Sequence, residues 1–337
     1  MSRAAGVPYN VALPVDQGER GAEMEVVRGL HNLRARHRGC VLTVGAFDGV
    51  HRGHQEMIRI LREQAARLAA PATVLSFEPL PREFFGKDNP PARLTRFREK
   101  VDAFRAYGIE RFVCARFDER LRAMEPEAFV ERILIEALGV KHVVVGHDFR
   151  FGRNLGGDFA LLSRFGAQHG FGVTEVPPFA IDGARVSSSR VRELLASGDM
   201  SGAARLLGRP YRMTGKVVHG GKLGRKLGFP TANLRLHRRT TPLMGVFAVR
   251  VSGGPLANAP AVASLGTRPV VNGREPLLEA HVFDFDGDLY GEYLHVDFIA
   301  RLRDERWFES LDALVEQMHK DAARARELLA GELTAVS

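Results

Sequence analysis

The chain has 337 residues, 45% hydrophobic and 26% charged, which excludes wholesale disorder and leaves room for about two domains of ~150 residues each. Its net charge of +8 comes from 48 Lys and Arg scattered among 40 Asp and Glu. That pattern is not a basic nucleic-acid tail, although a positive excess suits anionic small molecules such as phosphate esters.

Residues 1–23 mix Gly, Pro and polar residues without periodicity and predict a flexible extension, with ordinary sequence opening at Met24. No hydrophobic signal segment stands at the start, so the cytoplasm is the expected compartment. The longest uncharged stretch, Val251 to Thr267, is broken by Gly253, Gly254, Pro255 and Pro260 and is no membrane span. Two cysteines, Cys40 and Cys114, lie in apolar runs and read as buried thiols in strands.

From residue 24 to 207, short apolar runs alternate with amphipathic stretches. Val41–Phe47, Ala72–Phe77, Arg111–Cys114 and His142–Val145 read as buried parallel strands. Helical segments are expected near 54–69, 94–106, 126–137 and 157–168, which together predict a doubly wound, Rossmann-like α/β sheet. Gly208-Arg-Pro210 marks a boundary. Beyond it, Tyr211–Val218, Val246–Val251, Leu277–Phe285 and Glu292–Ile299 alternate with period two, predicting a small antiparallel β-barrel over 208–337. A closing helix is expected from about Ser310, with Leu311, Leu314, Val315 and Met318 on one face.

Gly45-Ala-Phe-Asp-Gly-Val-His-Arg-Gly-His54 follows a strand and opens a helix. His51 and His54, three apart, would share one side of a first helical turn, where unpaired N–H groups already favour phosphate. Beside a triphosphate the charged imidazole is favoured, so the pair can stabilise charge building during phosphate displacement. Zinc is the competing reading, but no third or fourth ligand stands nearby at metal-site spacing. Val186-Ser-Ser-Ser-Arg-Val-Arg192, before a helical run Glu193–Ala196, is either an N-cap or a phosphate clamp built on Ser187, Ser188, Ser189, Arg190 and Arg192. Gly146-His-Asp-Phe-Arg-Phe-Gly152 follows a third strand. All three segments are expected at the carboxyl edge of the sheet.

In the barrel half, Gly215 to Gly228 reads as a glycine-rich cationic flap carrying Lys222, Arg225 and Lys226. It is either an exposed hairpin loop or a wrap for polyphosphate. Thr231 and Asn233, two apart in an extended segment, can hold Mg²⁺ and a phosphate oxygen. Glu279, on a strand face shared with Leu277, His281, Phe283 and Phe285, is either a solvated edge residue or a general base for a hydroxyl attacking a γ-phosphate.

The three amino-terminal segments together resemble the bacterial bifunctional riboflavin kinase/FMN adenylyltransferases, or FAD synthetases. Leu223-Gly-Arg-x-Leu-Gly-Phe-Pro-Thr-Ala-Asn233, followed by Gly245-Val-Phe-Ala-Val249, Gly266-Thr-Arg-Pro269, Leu289-Tyr-Gly291 and Leu302-Arg-x-Glu305, resembles the flavokinase half in the same order. The resemblance spans roughly residues 24 to 330 and implies two reactions, each using ATP. Riboflavin is phosphorylated to FMN in the barrel, with Glu279 as base and Thr231 and Asn233 as Mg²⁺ ligands. FMN is adenylylated to FAD in the first domain, with His51, His54 and Arg190 stabilising the transition state. Further cofactor contacts are implied at Gly45, Phe47, Asp48, Asp148, Ser187, Ser188, Ser189, Lys222 and Arg303.

Ser264 stands where the family often has Asn, and Leu80 where many members carry His. Two other readings are a single-activity adenylyltransferase with a flavin-binding barrel, and a non-catalytic flavin- or RNA-binding regulator. The expected partners are small-molecule substrates, without nucleic acid or membrane, and the sequence sets no oligomeric state.

Overall fold

The computed structural model describes residues 24–86, 90–220, 224, 227–270 and 273–334. The expected extension over 1–23 and Lys222, Arg225 and Lys226 of the expected flap lie outside them. Packing divides the described residues into two units: those from Met24 to Pro91 with Thr95–Ser187, and Ala92–Leu94 with those from Ser188 onward. Each is described by itself.

In the first unit, β1 (Glu25–Arg28), β2 (Val41–Val44), β3 (Ala72–Glu78), β4 (Arg111–Arg116), β5 (His142–Gly146) and β6 (Gly172–Val176) form one parallel sheet. Their spatial order is β1-β4-β3-β2-β5-β6. A small hairpin, β7 (Ala180–Ile181) with β8 (Ala184–Arg185), follows. The helices are α1 (Arg52–Arg67), α2 (Pro81–Phe85), α3 (Phe97–Ala106), α4 (Glu119–Arg122), α5 (Pro126–Phe129) and α6 (Phe159–His169), with a π-helix over Val130–Ala137.

All four residues of β2 are buried, because both faces of this central strand are covered. On one face Val41, Val74, Phe112 and Val144 meet Ile58 and Leu61 of α1 and Phe104 of α3. On the other, Leu42, Val44, Leu75 and Val143 meet Phe129, Ile133 and Leu162. This is the expected doubly wound α/β layer. The chain leaves β2 toward β3 and β4 on one side and later returns to place β5 and β6 on the other. The topological switch therefore lies between β2 and β5, where such sheets open a ligand crevice.

The second unit begins with α7 (Ser188–Ser197) and α8 (Met200–Leu207), upstream of the Gly208–Pro210 boundary. Val191, Leu195, Met200, Ala203 and Leu207 join the core of the barrel. The barrel closes in the order β10-β13-β12-β11-β14-β9. Its strands are β9 (Tyr211–Val218), β10 (Ala232–Arg235), β11 (Gly245–Gly253), β12 (Leu256–Val270), β13 (Gly273–Val282) and β14 (Tyr293–Arg303). Period two is plain: Leu278, Ala280 and Val282 point inward, as do Leu294, Val296 and Phe298, and Leu277, Glu279 and His281 take the alternate positions.

The structure corrects several element boundaries. The strand expected over 41–47 stops at Val44, because Gly45–Phe47 already turn toward α1. The helix expected at Glu193 starts at Ser188. β1, β6, β10 and β12 were not anticipated; β12 takes up most of the uncharged stretch read only as too broken for a membrane span. Among the described residues no helix is long and apolar enough to cross a membrane. The closing helix, α9 (Leu311–Thr334), packs through Ala325 and Leu329 onto Ala248 and Phe283 of the barrel's outer face. The expected stripe does not make this contact, and Leu311 is 58% exposed.

Candidate active sites

In the first unit the turn from β2 to α1 leaves the sheet beside the switch point. Phe47, Gly49 and Val50 all have positive φ, at 49°, 88° and 43°. For a β-branched valine that conformation is strained and persists only where neighbours over-determine it. Those neighbours are visible. Thr95 donates its N–H to the buried Asp48 carboxylate at 2.9 Å, and its hydroxyl oxygen accepts from the Gly49 N–H at 2.9 Å. Gln55 donates to the Val50 carbonyl at 2.8 Å. Ser76 and Lys100 both donate to the Ala46 carbonyl, at 3.2 and 2.8 Å.

His51 is not inside the helix as expected; it is the N-cap, its Nδ1 accepting from the His54 N–H at 3.4 Å. In the neutral ring this puts the proton on Nε2. The His51 and His54 rings stack with centroids 3.7 Å apart and a 14° tilt, and the Phe47 ring lies 5.0 Å from His54. Burial, then the neighbouring His51 and Lys100, hold the His54 imidazole well below its ordinary pKa, so it is neutral in the ligand-free protein. Its buried Nδ1 has no hydrogen-bond partner among the described residues. A buried polar atom without a partner at a helix N-terminus is a ready position for an anionic ligand's oxygen, whose charge would also favour the imidazolium. Among the described residues no three His, Cys, Asp or Glu cluster as a metal site.

The Gly146–Gly152 loop leaves β5, which pairs directly with β2, so two of the three expected segments emerge side by side. Asp148 is exposed and paired with Arg185 through contacts of 2.7 and 2.9 Å, and this hydrogen bonding lowers its pKa. Gly45 donates its N–H to the Leu75 carbonyl, and Phe47 is 1% exposed. Both, with Asp48, shape the turn from within. In the third segment Ser187 ends one unit, while Ser188, Ser189 and Arg190 form the first turn of α7 in the other. Arg190 pairs with Glu193 at 3.0 Å.

Sequence reasoning missed the bracing residues Thr95, Ser76 and Lys100. The signal for Lys100 was a lysine at helical spacing between Phe97 and Phe104, on an otherwise apolar stripe. It also missed an aromatic cluster at the carboxyl ends of β3 and β4. There Phe77, Phe84 and Phe85 pack edge-on against Phe117 at 5.3 to 5.9 Å, with Phe85 61% exposed.

The second unit carries its site as a row across five neighbouring strands. In register, Asn233 of β10 faces Glu279 of β13, which faces Ser264 of β12. Ser264 faces Val246 of β11, which faces Arg303 of β14. Directly paired residues put their side chains on one face of a sheet, here the outer face of the barrel. Three expected site residues, Asn233, Glu279 and Arg303, thus share one line. At its far end Val246, Ser264, Arg303, Trp307, Phe308 and Leu314 help line a cavity of about 550 Å³. Trp307 is 81% exposed. Arg303 is anchored to Asp321 of α9 at 2.8 Å.

At the near end, a Cβ on Gly220 would collide with the Asn233 side chain, and one on Gly224 would meet the Thr231 hydroxyl at 3.3 Å. Of the flap, Gly220 therefore lies against Asn233, and Gly224 lies beside Phe229 and Thr231. The Asn233 Nδ2 donates to the Thr231 carbonyl at 3.4 Å, which presents Oδ1 as the oxygen ligand of the amide. A second cavity, smaller, is lined by Thr231, Ala232, Phe285, Leu289 and Tyr290.

Comparisons with known proteins agree with this division. The family model described as FAD synthetase matches residues 33–190, and that described as riboflavin kinase matches residues 207–329. A bifunctional riboflavin kinase/FMN adenylyltransferase of Pseudomonas fluorescens is 49% identical over 308 residues, covering 91% of this chain and 98% of the relative. Its counterpart in Escherichia coli (strain K12) is 45% identical over 305 residues, covering 90% and 97%. A crystal structure described as a macrolide-efflux protein from Streptococcus pneumoniae superposes with a TM-score of 0.75 at 29% identity, covering 89% of this chain and 97% of that one. The chain belongs to the family of bifunctional riboflavin kinase/FMN adenylyltransferases.

Proposed function

We propose that the two reactions are carried out at the two sites just described, each with its own ATP. The observation that carries the kinase assignment is the row from Asn233 through Glu279 to Ser264. Its carboxylate stands between Asn233, which would hold the polyphosphate end, and a cavity whose size suits a drug-sized planar ligand, and this supports the reading. Riboflavin would occupy the cavity beside Trp307 and Phe308. Glu279 would take the proton of its ribityl 5′-hydroxyl as that oxygen attacks the γ-phosphorus of ATP. Thr231 and Asn233 are hard oxygen donors suited to Mg²⁺, which when bound neutralises phosphate charge. Gly220 and Gly224 lie beside the same two residues.

For adenylyl transfer, the FMN phosphate attacks the α-phosphorus of ATP and pyrophosphate leaves. No protein nucleophile is required, because in-line displacement needs positioning and charge stabilisation. His51 would donate through Nε2, and His54 through a ring that takes a proton as the triphosphate arrives. Ser187–Ser189 and Arg190 are proposed as further phosphate contacts on the chemistry of their side chains. The exposed Phe85 ring, backed by the half-buried rings of Phe84 and Phe117, would offer an apolar platform for the flavin.

The kinase assignment is tested with Glu279→Gln, which keeps the shape and removes the base. FMN formation should fall by about 10² to 10⁴-fold, while FAD formation from supplied FMN stays at the wild-type rate. Undiminished FMN formation would remove Glu279 from the mechanism.

A further inference from the structure

Lys100 is 2% exposed. Burying an ammonium is costly unless its surroundings hold and use the charge. Its place follows from α3, whose Val101 and Phe104 enter the core beside the sheet. Three residues along this segment grip the β2–α1 turn in succession. Thr95 holds Asp48 and Gly49, the Lys100 Nζ holds the Ala46 carbonyl at 2.8 Å, and the Phe104 ring meets the Phe47 ring edge-on at 5.5 Å. The Lys100 Nζ also lies 3.3 Å from the Ser76 hydroxyl oxygen, and that hydroxyl donates to the same Ala46 carbonyl. The carbonyl's two lone pairs are thus both engaged, five residues before His51.

We propose that Lys100 is a positioning residue for adenylyl transfer: its buried ammonium fixes the strained turn that carries His51 and His54 and places a fixed positive charge beneath it. The proposal rests on the assignment of that turn to adenylyl transfer. A charge in that place has a second consequence. Among the described residues, the titratable groups that act on the His54 ring are His51 from the turn and Lys100 from α3. Lys100 and His51 both disfavour the imidazolium, so the resting site keeps His54 neutral. Arrival of a triphosphate reverses the balance. Lys100 thereby couples protonation of His54 to occupancy of the site.

The test uses the full chain with Lys100→Met and Lys100→Arg. Three quantities are read: FAD formation from supplied FMN and ATP, FMN formation from riboflavin, and the NMR titration of the His54 ring without nucleotide. In Lys100→Met, FAD turnover should fall by about 10²-fold, the scale of an ångström-sized misplacement, with a much smaller change in the KM for ATP. FMN formation should be unchanged, and His54 should titrate at higher pH than in wild type. Lys100→Arg, which keeps the charge, should recover most of the lost turnover and return His54 to its wild-type titration.

Wild-type FAD turnover in Lys100→Met, an unmoved His54 titration, or an arginine variant no better than methionine would each overturn the proposal. If Lys100→Met does not fold, Lys100→Arg decides: a His54 titration matching wild type supports the role, and a raised one overturns it. His51→Ala separates the two layers of inference. Impaired FAD formation there with a normal Lys100→Met removes only the role of Lys100, whereas normal FAD formation in His51→Ala removes the assignment of the site.

Discussion

His51 caps α1 in the structure and is proposed to bind phosphate as well, and substitution can part the two roles. As N-cap it accepts from the His54 N–H at 3.4 Å, a long bond, so replacing it with Ala should cost about 0.5–1 kcal/mol of stability, toward the low end for a lost cap. As the proposed phosphate donor it should be worth far more. Removing one preorganised donor slows turnover by about 10²-fold, or about 2.7 kcal/mol of transition-state stabilisation. Asn is among the best N-cap residues, so His51→Asn should restore the stability and leave the catalytic defect. The assay pairs thermal melts with chromatographic measurement of FAD from FMN and ATP, using FMN formation from riboflavin as the internal control. Both variants should make FAD about 10²-fold more slowly, with FMN formation at the wild-type rate and only the Ala variant melting earlier. Wild-type FAD formation in His51→Asn would show that the imidazole serves as a cap and nothing more, and the donor role would be refuted.

The remaining predictions concern one carboxylate at the start of β1 and one glycine of the barrel unit. Partial burial pushes Glu25 up, but hydrogen bonds from His37, Arg36 and Arg111 outweigh it and hold the carboxyl at about 2, below its usual 4.5. A depressed carboxyl stabilises the fold above its unfolded pKa and loses that contribution as pH falls through the folded value. Glu25→Gln should therefore be less stable at pH 7, by about 1 kcal/mol after solvent screening. Denaturant titrations should show the gap shrinking between about pH 4.5 and 2 and closing below that; a gap independent of pH would contradict the pairing. Gly220→Ala should raise the KM for ATP in FMN formation several-fold, because its Cβ displaces Asn233, and should leave FAD formation from FMN untouched. An unchanged KM would detach the flap from the nucleotide.

Much of both folds was readable because burial imposes short periods. The continuous apolar run of β2 and the alternation of β14 each follow from which faces are covered, and the structure shows those faces covered. The misplaced boundaries are those where tertiary contacts override local pattern. Gly45–Phe47 look like strand but are turned by Thr95, Lys100 and Ser76, whose hold on the turn no local periodicity records. β12, with its prolines and glycines, reads as broken until its neighbours β11 and β13 are seen to pair with it.

The sites divide in the same way. The histidine pair and Glu279 stand out because charged or polar residues occupy positions with a structural meaning of their own. The row joining Asn233, Glu279, Ser264, Val246 and Arg303 is invisible in sequence, since it depends on the register of five strands. That register also gives meaning to Ser264, where the sequence departs from the family's frequent Asn: it pairs directly with Glu279 and is itself part of the cavity wall.

Two independent catalytic centres in one chain should be able to complement each other through solution. His51→Ala should retain the kinase and Glu279→Gln the adenylyltransferase, so neither alone should carry riboflavin to FAD at more than a small fraction of the wild-type rate. Mixed in equal amounts with riboflavin, ATP and Mg²⁺, the two should produce FMN first and then FAD. A mixture that makes FAD no faster than either variant alone, with both proteins folded, would contradict the division into two separate sites.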